Sequence, residues 1–198
     1  MSAKNTKNAE QCKELMLSSL TKHFQKKADQ RKQLHSIISG TSPLSLRLID
    51  WFVTHYIADN GISYWIDENN KLVEHFPERG GENLTKFNVD TEYETHLGVF
   101  TKMLFDPFRR YEHITFVLEN TNPLVVIDTT VGQLNFFRWA LQYKVIDYIQ
   151  NHLKEIAASM AAFYKSKTKD HTKTRKVKGS AKKQISIVST DTHYVRWD

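Results

Sequence analysis

Between residues 165 and 183 the chain carries nine cations, Lys165, Lys167, Lys169, Lys173, Arg175, Lys176, Lys178, Lys182 and Lys183, against the single carboxylate of Asp170. Charge of one sign at that density attracts polyanions, and nucleic-acid phosphate is the partner it suits best. No Phe, Tyr or Trp is interleaved with these cations, so the stacking platform of a single-strand binder is missing. Contact with duplex DNA phosphates, independent of base sequence, is the expectation. A solvated solubility tail, or a nuclear-import signal in "KTRKVK", are the plainer uses of the same residues. Arg109 and Arg110 in "FDPFRR" are candidate phosphate contacts from the folded part, although the phrase reads first as a helix stopped by Pro107 with Phe105 and Phe108 in the core.

Arg138 is a cation of another kind. It lies in "TTVGQLNFFRWAL", where Asn135, Arg138 and Gln142 form the one narrow polar stripe of an otherwise apolar helix. A guanidinium in such a place needs an acidic partner or a ligand, so it is expected either in an internal salt bridge or at an anion site. Phe136, Phe137 and Trp139 at helical spacing are expected to be core.

Catalytic groupings are thin. Glu92/His96 and His55/Asp59 each stand four apart on an expected helix and could share a metal or act as base and orienter. No phosphate-binding glycine loop, nucleophile elbow or paired metal-binding histidine motif is present, and no pattern implies a cofactor. Cys12 is the only cysteine, which excludes an intrachain disulfide and points to a reducing, intracellular setting. No secretory leader and no apolar run of membrane-spanning length is seen, so no membrane partner is expected.

The elements that must hold these residues follow from periodicity. Residues 1 to 40 read as a basic helical arm, with Cys12, Met16, Leu20, Phe24 and Ala28 as a thin apolar stripe, and residues 41 to 164 as the globular part. In that part a helix opens at Ser42-Pro43 and stops at Asp59-Asn60-Gly61. Strands "ISYWI" and "LVEHF" flank a turn over residues 67 to 70, "PERGGENLTK" is a loop, and a helix with a Thr91/Glu94 capping box ends near Asp106. Strands "ITFVL" and "LVVID" precede a long central helix, which begins at the Thr130/Gln133 capping box and breaks or changes partners near Tyr143. Residues 165 to 183 then form a tether, disordered when free, and residues 184 to 198 a strand or hairpin docking in cis or in trans. The fold class is α+β, helices and short hairpins around the central helix with flexible basic arms. Charge is sorted accordingly: residues 1 to 33 carry +5, residues 34 to 164 carry −6 and residues 165 to 183 carry +8.

The phrases "SLRLIDWFVTHY", "FDPFRR" and "TTVGQLNFFRWAL" followed by "VIDYIQNHL", then a lysine-rich run and a strand-like end, resemble a family of small proteins of nucleocytoplasmic large DNA viruses. The resemblance covers roughly residues 43 to 198 and leaves the N-terminal 35 outside it. It implies a viral setting, in the virion or a cytoplasmic viral factory with the host nucleus as another location, and brings no catalytic residues. Together with the charge pattern it suggests a non-enzymatic DNA-associated or virion-associated protein. A capsid or scaffold component working through viral structural proteins or self-association is the alternative. A metal-dependent nuclease using Glu92 and His96 comes third.

Overall fold

The computed structural model describes residues 2–78 and 81–175, and their side chains over 10–78 and 81–167. Helices α1 (Ser2–Lys26) and α2 (Ala28–Ile38) form the N-terminal part. The expected apolar stripe is buried only at its centre: Leu20 and Phe24 are core, joined by Leu34 and Ile37 of α2, while Cys12 and Ala28 are exposed. Arg31 fastens the corner, with Nη1 donating to the Phe24 carbonyl at 3.0 Å and Nη2 reaching Glu119 at 3.1 Å. The division at residue 40 is therefore corrected. Burial of those four side chains makes the arm part of the first compact unit, Met1–Ala162.

Helix α3 (Leu46–Trp51) continues through a π-helical turn (Phe52–Tyr56) into α4 (Ile57–Asn60). Its cap is Ser45, whose side chain accepts from Leu48 N at 3.1 Å, and not Ser42, which instead accepts from Leu44 N two residues on. Gly61 ends it with φ +60, the left-handed conformation expected of that stop. Strands β1 (Ser63–Ile66) and β2 (Leu72–Val73) pair antiparallel, turned by Asp67, whose carboxylate accepts from Lys71 N at 2.7 Å. A third strand, β3 (Thr85–Asn88), lies on the other side of β1, giving the order β2-β1-β3. It includes two residues of the expected loop, because Phe87 fills the core beside Tyr64.

Helix α5 (Val89–Leu104) starts at Asn88, whose side chain accepts from Thr91 N at 3.1 Å, so the cap lies three residues before the expected one. Strands β4 (Ile114–Glu119) and β5 (Val125–Thr129) form the expected second hairpin. Helix α6 (Val131–Gln142) begins at Thr130 and ends where Tyr143 and the left-handed Lys144 turn the chain into α7 (Val145–Asn151) and then α8 (Leu153–Arg175). The central helix is thus three segments with breaks at residues 143–144 and 152. The molecule is α+β, with most of its core on α6: of its residues only Arg138 and the exposed Gln142 are not buried.

A second compact unit begins at Phe163. Within it α8 continues to Arg175, so residues 165 to 175 are helical and the tether expected from residue 165 is corrected there. Lys is a good helix former, and Lys167 covers the Phe163 ring one turn earlier at 4.3 Å.

Candidate functional site

The central helix is anchored at its start by the "FDPFRR" segment. Thr130 Oγ1 accepts from Gln133 N at 3.1 Å, as a capping box requires, but the Gln133 side chain does not return to Thr130. It donates to the Pro107 carbonyl at 3.0 Å and accepts from Thr129 Oγ1 at 3.1 Å. Asn135 donates to the Leu104 carbonyl at 2.9 Å, and Asp106 N reaches the Gly132 carbonyl at 3.4 Å. Phe105 is fully buried against Phe136 and Trp139, each with ring centroids 5.4 Å away. Phe136, Phe137 and Trp139 are core as expected. Phe108 is not core: it is half-buried beneath Arg110, whose guanidinium carbon lies 4.4 Å from the ring centroid.

Arg138 faces a small polar cavity of about 250 Å³, lined by Ser19 and His23 from α1, His96 from α5, and Asn135, Arg138, Trp139, Gln142 and Tyr143. The internal salt bridge is corrected, since among the described residues no carboxylate pairs with Arg138. Nη2 donates to Asn135 Oδ1 at 2.8 Å and Nη1 to Ser19 Oγ at 3.3 Å, both neutral acceptors. Asn135 is fixed from behind by its bond to Leu104, so it positions the guanidinium without neutralising it. Burial pulls the Arg138 guanidinium below its ordinary value. Burial also pulls His23 down, against the opposing bond from His23 Nε2 to Gln30 Oε1 at 2.7 Å, and the charges of Arg138 and Lys27 add to the lowering. His96 Nδ1 lies 2.8 Å from the Glu92 carbonyl, and its ring packs against Phe105 and Trp139. Trp139 is 2% exposed and its indole N–H has no partner among the described residues.

The remaining candidates are dispersed. Arg109 is half-buried and 3.7 Å from Glu112, which Lys13 also holds at 3.0 Å; these contacts, the Lys13 hydrogen bond above all, keep the Glu112 carboxyl below its ordinary value. Arg110 is exposed on Phe108. Lys165 and Lys167 are exposed on α8, and Lys169, Lys173 and Arg175 follow in the same helix. Lys176, Lys178, Lys182, Lys183 and the strand expected over residues 184 to 198 lie outside the described residues. Glu92 and His96 meet through the Glu92 main chain and not its carboxylate. His55 bonds Thr54 Oγ1 at 2.8 Å and stacks on Trp51. Among the described residues no group of three His, Cys, Asp or Glu could hold a metal, and no helix is long and apolar enough to cross a membrane.

Sequence reasoning named Arg138, Asn135 and Gln142 but missed Ser19 and His23. Nothing local marks those two, which reach the cavity only because α1 packs along α6.

The comparisons with known proteins agree with a viral setting. The chain is 30% identical over 154 residues to an uncharacterized protein of Acanthamoeba polyphaga mimivirus, an alignment covering 76% of this chain and 55% of that relative. The chain therefore spans little more than half the relative's length. No solved structure matches. A model of a family of unknown function, DUF7197, matches residues 1–195, and so takes in α1 and α2, which the resemblance had left outside. With nearly its whole length matched, the chain belongs to the DUF7197 family, an uncharacterised family with a relative in a large DNA virus.

Proposed function

We propose that this protein is a non-enzymatic, nucleic-acid-associated viral protein that neutralises duplex DNA phosphates through its lysine-rich segment, residues 165 to 183. Arg109 and Arg110 are secondary contacts, the folded unit serves protein partners, and the place of action is the virion or a viral factory, with the host nucleus as a further location. The observation that carries this reading is that Lys165 and Lys167 are exposed and, among the described residues, neither is paired with a carboxylate. In the first unit, by contrast, Lys13, Arg31 and Lys144 are each tied to an acid at 3.0 to 3.1 Å. Cations already neutralised by the protein's own acids release few counterions from DNA, whereas unpaired ones keep their full attraction for phosphate.

The test is a salt titration of duplex binding by the full chain and by a full chain with all nine cations changed to glutamine. With most of the nine on phosphates, affinity should fall on the order of 10³ to 10⁵ fold between about 50 and 200 mM salt, with little dependence on base sequence. The glutamine variant should lose both the binding and the slope. Equal binding by the two would refute the reading.

The assembly alternative has its own support. Val117 and Val126 face each other across the β4–β5 hairpin, and each is more than two-fifths exposed, with Leu124 half exposed nearby in sequence. Association that survives in the glutamine variant and fails when both valines become threonine would favour a capsid or scaffold role. The nuclease reading finds no supporting geometry in Glu92 and His96, and metal analysis of the purified full chain tests it directly.

A further inference from the structure

Arg138 stands out among the cations of the first unit. It is half-buried, its two hydrogen bonds go to neutral oxygens, and no carboxylate compensates it among the described residues. A buried charge in that condition is costly unless something of opposite sign shares the space. The space exists, as the cavity of about 250 Å³ beside it, and among the described residues its lining contains no acid. Arg138 from α6 and the Ser19 hydroxyl from α1 can donate into it, while His23 of α1 and His96 of α5, whose bonded nitrogens donate to Gln30 Oε1 and to the Glu92 carbonyl, line it with their rings. The guanidinium has five N–H groups, of which two are engaged with protein, so three remain to donate to a ligand.

We infer that this cavity between α1, α5 and α6 is a binding site for a phosphoryl group, held by Arg138 with Ser19, His23 and His96 around it. A carboxylate is planar and is satisfied by one fork of parallel N–H bonds. A phosphoryl group carries three oxygens in a tetrahedral arrangement and suits donors arriving from several sides. Asn135 is a positioning residue, holding the guanidinium through Oδ1 while its own amide is fixed on the Leu104 carbonyl. Gln142 lines the cavity and is exposed, so a phosphate monoester bound phosphate-first there would keep the rest of the molecule toward solvent. Inorganic phosphate and a nucleoside monophosphate share this chemistry.

The inference does not rest on DNA binding by the lysine-rich segment, and the experiment keeps the two apart by using the full chain with its nine tail cations changed to glutamine. Inorganic phosphate, adenosine monophosphate and acetate are titrated calorimetrically at fixed ionic strength into that protein and into versions that also carry Arg138→Gln, Ser19→Ala or His23→Gln. Saturable one-to-one binding of phosphate or of the nucleotide is expected, weakened about tenfold or more by Arg138→Gln and less by the other two. Binding of both ligands makes the phosphoryl group sufficient, and binding of the nucleotide alone makes the ester the source; both support the site. Should Arg138→Gln fail to fold, the exposed Ser19→Ala and half-buried His23→Gln carry the test. No saturable binding of either phosphate compound, binding of acetate in their place, or binding unchanged by every folded variant would overturn it.

Discussion

Gly132 gives the most direct test of how the "FDPFRR" segment anchors the central helix. It is the second residue of α6, a place where Gly to Ala would ordinarily add about 0.5–1 kcal/mol of stability. Here a Cβ would sit 2.9 Å from the Met103 carbonyl oxygen, against 3.4 Å for ordinary contact, so helix and segment must separate by about half an ångström. The segment is not free to move. Asn135 holds the Leu104 carbonyl, Gln133 holds the Pro107 carbonyl, and Phe105 is locked in the core. Overpacking against fixed backbone costs about 1–3 kcal/mol. Setting the helical gain against it, Gly132→Ala should destabilise by about 1–2 kcal/mol, which lowers Tm by about 2–8 °C in a domain of this size. Gly98 is the control, helical, exposed and with nothing within 4 Å of an added Cβ, so Gly98→Ala should raise stability by about 0.5–1 kcal/mol. Urea and thermal unfolding followed by circular dichroism measure both. A Gly132→Ala protein as stabilised as Gly98→Ala would refute the reasoning.

Two further outcomes follow from single hydrogen bonds. Tyr64 is fully buried and its hydroxyl donates to the Tyr143 carbonyl at 2.6 Å, where α6 ends; Tyr64→Phe removes that donor and should cost about 1–2 kcal/mol in urea unfolding. Burial pushes the Tyr64 hydroxyl far above its ordinary value, so ultraviolet titration of the native protein should show it un-ionised at pH 11. Burial alone would raise Glu74, but bonds from Asn151 at 2.8 Å and His152 at 2.7 Å, with His75 adding the same sign, hold its carboxyl below the ordinary 4.5. A depressed carboxyl contributes stability above its unfolded value, and the contribution is lost as pH falls through the folded one. Glu74→Gln should therefore cost about 1 kcal/mol at pH 7 and converge on the parent protein as the pH falls below the folded value of Glu74, as chemical unfolding at a series of acidic pH values would show.

Local chemistry alone was enough for several elements. The Thr130 cap, the Gly61 stop, both hairpins and the helix end before Pro107 depend on interactions within a few residues, and each stands where the pattern put it. The buried aromatic face of α6 and the sorting of cations toward residues 165 to 183 were equally legible, because apolar period and charge need no tertiary partner to be counted. Caps at Ser45 and Asn88 were misplaced because several Ser, Thr and Asn residues compete locally, and packing chooses among them. Strand β3 was missed because what makes it a strand is pairing with β1 and burial of Phe87. Only the tertiary structure could decide what Gln133 bonds to, or that Arg138 has neutral partners and a cavity shared with Ser19, His23 and His96. Those groups are separated by up to 119 residues, and a distance across the fold is set by how helices pack, which no local pattern encodes.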